Sequence, residues 1–372
     1  MQLRITMSQE DLERTPPPEV TYLKYSVSTD IGKDKFDGCV SLIDVNQRVK
    51  VIATKCFNNT EGGFRDFDQW QARKCKYSIP SVFTMEATGV YYEKLAWFLH
   101  HKGYYVSVVL PNKSKKYLQC LGLKSKNDKI DSIGLARMGA EQCLPRWNAP
   151  NKAIVELRDI TRHRESLQES RTRFNNQLSA YLCGEFVDKT IVEGLESMLA
   201  LLDKQIAQTE KLIKDKVASN EELKEGIERI VAVKGLGVVS VATILAETNC
   251  FEAFVNNRQL VSYAGYDVVQ NQSGKHIGKT KISKKGNAHI RRILHMPALN
   301  VVAFEEPVFV EQYQRVFERT KIKMKGYVAV QRKLLCLIYA LWKNKEEYEQ
   351  NRYKRDEHLE KQSESSSFRL AS

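Results

Sequence analysis

Two hydrophobic periods divide this chain, and they cannot belong to one kind of secondary structure. Between residues 22 and 110 the apolar residues come in short runs of period two. Tyr25 and Val27 alternate with polar neighbours up to Asp30, and Cys39–Val45 and Val49–Cys56 read as two further strands separated by a turn at Asn46. A strand-like Val82–Met85 ends at Glu86. The helix Tyr91–His101 carries Leu95, Phe98 and Leu99 on one side and stops at Gly103, and the strand Tyr105–Leu110 follows, ended by Pro111. Strands followed by alternating helix and strand predict an α/β domain over 22–146. From about residue 151 the apolar positions step by threes and fours, which predicts helices. With 372 residues the chain exceeds what one compact core usually holds, so the expected class is α/β plus α, in at least two domains.

In the connector, 147–220, Leu195, Leu199, Leu202, Ile206, Thr209 and Ile213 step by four and three alternately, a coiled-coil-like seam of about three heptads. It suits a helical hairpin packed within its own chain or a dimerisation arm. A second helical region, 221–345, opens with two apolar helices around Lys234-Gly235-Leu236-Gly237. Residues 1–21, with Pro16-Pro17-Pro18, read as a flexible extension, and 346–372, rich in charge and serine, as a disordered tail. The N-terminus lacks the apolar segment of a signal peptide, and no apolar run approaches the roughly 20 residues of a spanning helix, so no membrane partner is expected. The eight cysteines are scattered and form no C-x-x-C pair, which argues against zinc and disulfides and fits a reducing cytoplasm. The net charge of +13 favours a polyanion, nucleic acid first.

Within KSKNDKIDSIGLARMG, Asp128 and Asp131 sit three residues apart among lysines. On a helix both carboxylates share one face. Two more acids stand at strand ends, Asp30 in STDIGKDKFD and Glu86 in FTMEATG. In an open α/β sheet such ends are where sites form. Taken singly, Asp128 suits a helix N-cap, Asp131 a first-turn acid, and Asp30 and Glu86 turn positions. Together, four carboxylates in a basic chain suit one or two Mg²⁺ ions, which prefer hard oxygen ligands and clamp the oxygens of a phosphoryl transfer while lysines hold the backbone.

VKGLGVVSVATILAE resembles a helix-hairpin-helix. Its turn, Lys234, Gly235 and Gly237, would bring backbone N–H groups to a phosphate, or would simply join two helices. From Val268 to Phe304 there is no acid. That stretch holds Lys275, Lys279, Lys281, Lys284, Lys285, Arg291 and Arg292, and its basic loop running into an apolar helix near Ile290 suits a phosphate-facing surface or a solvated basic face. Ser273 lies in this loop. A serine hydroxyl can attack a phosphodiester where cations stabilise the developing charge, and Ser283 and Ser262 are rivals for that part.

TDIGKDKFD, MEATGVYYEKLAWFLHHKGYYVSVVLP and KNDKIDSIGLARM resemble the RuvC-like domain of the DEDD transposases, from insertion sequences whose recombinase is guided by a bridge RNA, a family that includes the Piv-type invertases. VKGLGVVSVATILAE, LVSYAGYDVVQNQSGK and SKKGNAHIRRILHMPALNVV resemble the serine-bearing transposase domain of the same family. The resemblance spans roughly 24–345. It implies an RNase H-like (RuvC-like) fold for 22–146 and a helical connector leading to a transposase domain at 221–345. It also implies Asp30, Glu86, Asp128 and Asp131 as metal ligands, and Ser273 as the serine that becomes joined to DNA. The expected partners are target and donor double-stranded DNA, a noncoding guide RNA, and further copies of the chain as dimers pairing into a tetramer, in a bacterial or archaeal cytoplasm. A metal-dependent nuclease or junction resolvase without a covalent intermediate, and a non-catalytic nucleic-acid clamp, are the alternatives. The first predicts cleavage without Ser273, the second binding without the acids.

Overall fold

The computed structural model describes residues 21–122, 127–270, 272–273, 276–278 and 280–349. All but the last residue of the expected extension and most of the expected tail, and also Lys124, Lys126, Lys275 and Lys279, lie outside them. The chain divides into two compact units, Met1–Ala149 and Pro150–Ser372.

The first unit is built on a five-stranded sheet of order β3-β2-β1-β4-β5. Strands β1 (Tyr22–Ile31), β2 (Lys35–Asp44) and β3 (Val49–Asn58) form an antiparallel meander. At its second turn Asp44 Oδ1 accepts from the backbone N–H groups of Asn46 and Arg48, each at 2.9 Å, and Gln47 takes a positive φ of 61°. Strands β4 (Ser81–Glu86) and β5 (Tyr105–Val109) add in parallel beside β1. This mixed order and direction fit an RNase H-like domain.

One face of the sheet is apolar. Tyr25, Val27 and Ile31 of β1 share it with Phe36, Val40 and Leu42 of β2 and Phe83 and Met85 of β4. Helix α1 (Glu61–Lys74) covers it with Phe64, Phe67 and Trp70, and helix α2 (Glu93–His101) with Leu95 and Leu99. The opposite face is small and polar, yet it too is buried: Ser26, Ser28, Ser41 and Thr84 are at most 1% exposed. Helix α3 (Pro111–Cys120) follows β5, and helix α4 (Asp128–Glu141) lies on this polar face. Small hydroxyl residues let α4 approach closely. A side-chain carbon at Gly139 would collide with Ser26 Oγ and Thr84 Oγ1, and one at Gly134 with Leu118 of α3.

The second unit begins with two long helices, α5 (Lys152–Leu182) and α6 (Lys189–Ala218), packed against each other. Leu195, Ile206, Thr209 and Ile213, the four buried members of the predicted seam, point inward, so the seam closes a hairpin within its own chain. The helices α7 (Glu221–Val231), α8 (Val238–Thr248), α9 (Asn257–Tyr263), α10 (Ala288–Ile293), α11 (His295–Ala303), α12 (Pro307–Thr320) and α13 (Lys323–Asn344) follow. Ile154 and Leu157 of α5, and Ile213 and Val217 of α6, share one core with Leu334, Leu335 and Ile338 of α13. The connector and the domain expected at 221–345, separate by sequence, therefore share a core. Tyr348, inside the predicted tail, packs on that core and donates its hydroxyl to Glu306 Oε2 at 3.0 Å. Among the described residues no single helix is long and apolar enough to cross a membrane.

Candidate active site

In the first unit the chain brings its carboxylates to one end of the sheet. Asp30 is the penultimate residue of β1 and Glu86 the last of β4; the parallel register pairs Thr29 with Met85, so the two acids leave neighbouring strands side by side. Helix α4 runs against β1. Ser28 Oγ donates to Ser132 O at 2.5 Å near its start, and Lys24 Nζ donates to Gly139 O at 2.8 Å and Gln142 O at 3.1 Å at its end. A cation thus neutralises the carbonyl end of the helix, while the opposite end, with its partial positive charge, carries Asp128 and Asp131 toward Asp30. The helix cap is Asn127, whose Oδ1 accepts from Ile130 N at 2.8 Å, so Asp128 is free of that duty.

The electrostatics record the convergence. The Asp30 carboxyl is pushed up to about 6, first by burial and then by the charges of Asp128, Asp131, Glu86 and Asp37. Asp37 is a fifth carboxylate that the motif spacing does not mark. The β1–β2 register sets it opposite Asp30, and its own carboxyl is raised by burial and by Asp128, against a lowering by Lys129. Only strand pairing could have revealed it. Glu86 is held at both oxygens: Oε2 accepts from Ser114 Oγ at 2.6 Å and Oε1 from Thr88 Oγ1 at 3.2 Å.

Among the described residues no three acidic, histidine or cysteine side chains stand in a ready-made metal cage. The donor set nevertheless fits a divalent cation. Its ligands are hard oxygens, burial and then the neighbouring carboxylates raise the Asp30 carboxyl, and magnesium is ordinarily held by one or two carboxylates with waters and substrate phosphate completing the shell.

In the second unit the segment after α9 forms a hairpin. Strand β6 (Val268–Val269) pairs with β9 (Lys281–Ile282), and β7 (Gln272–Ser273) with β8 (His276–Ile277), so Ser273 opposes His276 beside the turn. Ser273 is exposed. Ser283 instead accepts from Lys285 N at 3.3 Å in a local turn, and Ser262 lies on α9. The base of the hairpin is tied down. Ser283 N donates to Asp267 O at 2.8 Å and Asn287 N to Tyr263 O at 2.7 Å. Asn287 Nδ2 donates to Glu247 Oε2 at 2.6 Å, and Arg162 of α5 grips the same buried carboxylate through both oxygens, at 2.6 and 2.9 Å.

The basic residues separate into two groups. Lys281, Lys284 and Lys285 are exposed around the hairpin base, and Lys234 is exposed at the α7–α8 turn. There Gly235, at φ 98°, abuts Asn300 and Val301 of α11, and Gly237 caps α8 with open space around it. Arg291 and Arg292, predicted as phosphate contacts, both make bonds within the chain, while the Arg292 side chain stays 52% exposed. Arg291 Nη1 donates to the carbonyls of Ala264 (2.8 Å), Gly286 and Asn287, and Arg292 pairs with Glu165 and with Glu169 (2.8 Å) of α5. The physical reason is proximity: α10 lies where those carbonyls and acids need cations.

A carboxylate end on an RNase H-like sheet suits phosphoryl transfer on nucleic acid, and the sequence relatives narrow this to transposases and DNA invertases. A transposase family model of the DEDD type matches residues 27–187, and the transposase model of the IS116/IS110/IS902 family matches 227–314. The pilin gene-inverting protein of Moraxella bovis is 31% identical over 86% of this chain and 95% of its own length. The transposase for insertion sequence element IS1111A of Coxiella burnetii is 22% identical over 72% of this chain and 75% of its own. The chain belongs to this family of transposases and DNA invertases and is an enzyme that cleaves and joins DNA. The Thermus thermophilus RuvC structure aligns over 33% of this chain and 99% of its own, at 10% identity and a TM-score of 0.25.

Proposed function

We propose that this chain is an RNA-guided recombinase that exchanges DNA strands through a phosphoserine link on Ser273, with a divalent metal, Mg²⁺ foremost, at Asp30, Glu86, Asp128 and Asp131. The convergence of Asp30 and Glu86, at the ends of neighbouring strands, with Asp128 and Asp131 of α4 is the observation that carries the metal half; burial and then these charges raise the Asp30 carboxyl. The exposed Ser273, in a hairpin tied at its base and set in an acid-free basic stretch, supports the nucleophile. The RNA partner, and the pairing of dimers into a tetramer, rest on the motif resemblance.

The chemistry balances without a high-energy cofactor. The Ser273 oxygen attacks the scissile phosphorus, its proton leaves, and the bond from phosphorus to one deoxyribose oxygen breaks, releasing a DNA hydroxyl. Attack on the phosphoserine by a hydroxyl of the exchanged strand restores Ser273. One phosphodiester replaces another, so bond energy is conserved. A bound cation supplies neutralisation of the charge that develops on phosphorus. Exposed Lys281, Lys284, Lys285 and Lys234, with the Gly235–Gly237 turn, hold backbone phosphates.

The test traps the intermediate. Protein, Mg²⁺, RNA transcribed from the DNA flanking the gene, and labelled junction DNA are incubated, denatured and digested, and DNA-linked peptides are mapped by mass spectrometry. The expected adduct is on Ser273, and Ser273→Ala abolishes it. Cleavage that persists in Ser273→Ala with no adduct would make the chain a metal nuclease.

A further inference from the structure

Ser114 has no part in the motifs, yet it is fully buried and lies in the first turns of α3, beside the carboxylate end of the sheet. Its Oγ stands 2.6 Å from Glu86 Oε2, 3.0 Å from Pro111 O and 3.4 Å from Leu110 O. A hydroxyl has one proton to donate among these three acceptors. The shortest contact is in the range of a hydroxyl donating to a carboxylate, and the other two are the weaker back-bonds a helical serine makes to its own chain. The proton therefore goes to Glu86. Helix α3 also packs on the helix that carries the other acids: Leu118, one turn beyond Ser114, fills the space that Gly134 leaves on α4, the helix bearing Asp128 and Asp131. A single short helix is thus joined to Glu86 by a hydrogen bond and to the helix carrying Asp128 and Asp131 by packing at Gly134.

We infer that Ser114 is a positioning residue for the metal-binding carboxylates, fixing the Glu86 side chain relative to Asp30 and the Asp128–Asp131 helix. This rests on the reading of Glu86 as a ligand. Groups that hydrogen-bond a ligating carboxylate set its orientation, and their loss typically weakens metal binding about 10- to 100-fold. Thr88 holds the other oxygen at 3.2 Å from an exposed loop, and its contribution is the smaller.

The test is Mn²⁺ binding to the full-length protein without nucleic acid, by electron paramagnetic resonance and calorimetry, with thermal unfolding of each variant alongside. Ser114→Ala is expected to weaken Mn²⁺ affinity by roughly tenfold or more. Ser114→Thr, which keeps the hydroxyl, restores most of the affinity, and Thr88→Ala weakens it less than Ser114→Ala does. A purely structural serine would lower the unfolding temperature of Ser114→Ala and leave its Mn²⁺ affinity at the wild-type value; that result overturns the inference while the carboxylate reading stands. Should Ser114→Ala fail to fold, Ser114→Cys, close in volume with a weaker donor, replaces it, and wild-type affinity there is equally fatal. If Glu86→Gln binds Mn²⁺ as the wild type does, the carboxylate reading fails and the role of Ser114 falls with it.

Discussion

Asp30 is the residue at which the site's chemistry is most exposed to measurement. Its carboxyl sits near 6 in the folded chain against an ordinary 3.8. Between about pH 4 and 6 the native state therefore keeps a proton that the unfolded chain has lost, and stability falls as pH rises through that window. Asp30→Asn is expected to raise the unfolding temperature of the metal-free protein above pH 6, with the gain vanishing near pH 4. Melting curves in EDTA at pH 4 and 8 check this, and a variant less stable than wild type at pH 8 would show that partners compensate the charge. The four motif acids were legible because each stands at the end of a recognisable element. Asp37 and Ser114 were not: the first meets Asp30 only through antiparallel register, the second meets Glu86 only because β5 lies beside β4.

At the scale of elements, α4 shows how much a helix can be set by what it lies on. Its sequence has little amphipathic character, because the face it covers is made of hydroxyls. Ser26 Oγ and Thr84 Oγ1 are buried there without hydrogen-bond partners among the described residues, directly beneath Gly139. Gly139→Ala must push one of them aside or lift the helix, an overpacking that costs about 1–3 kcal/mol. Denaturant unfolding measures the loss, and an unchanged midpoint would show that α4 has room to rise. The period-two pattern in β1 is correct as a strand signal, but it predicts one wet face, and α4 covers that face. Two helices escape the periodic pattern altogether. In α1 a Gly62-Gly63 pair at the start obscures the Phe64, Phe67 and Trp70 face, and Gly63 is required because any side chain would strike the Asn58 carbonyl. In α3 the proline that ends β5 also opens the helix at its first position.

For the whole molecule, the basic excess of +13 has to be divided between phosphate binding and internal pairing. Arg162 and Arg291 are bonded within the chain, Arg292 pairs with Glu169 from a half-exposed position, and Lys284 and Lys285 are exposed. Replacing both lysines with alanine should weaken DNA binding and lower the slope of log affinity against log salt by about 0.9 for each phosphate that a lysine neutralises. Titrations at several salt concentrations check this, and an unchanged slope removes them from the interface. The Arg162–Glu247 pair makes a separate demand. Glu247 is nearly inaccessible, and although burial alone would raise its carboxyl, the hydrogen bonds from Arg162 and Asn287 hold it below its usual range. Arg162→Met leaves a buried carboxylate short of its main partner and is expected to destabilise the second unit by about 3 kcal/mol, read by thermal unfolding at pH 7. Because a depressed carboxyl stabilises above its unfolded value and loses that contribution on acidification, the deficit should shrink below about pH 4.

The sequence by itself determined the five main strands and the helical character of the second half, the split of the chain near residue 150, the family, and the four acids and one serine that carry the proposed chemistry. These follow from local pattern, since period, caps and short motifs are written in consecutive residues. The three-dimensional fold was needed for everything that depends on register and packing between distant segments. It turned the Leu195–Ile213 seam inward onto α5, buried the serine face of β1, and set Arg291 and Arg292 against carbonyls and carboxylates of the same chain. It also brought Asp37 and Ser114 to the carboxylates. A side chain's identity says which bonds it can make, but only the paths of the other segments determine which partner is within reach.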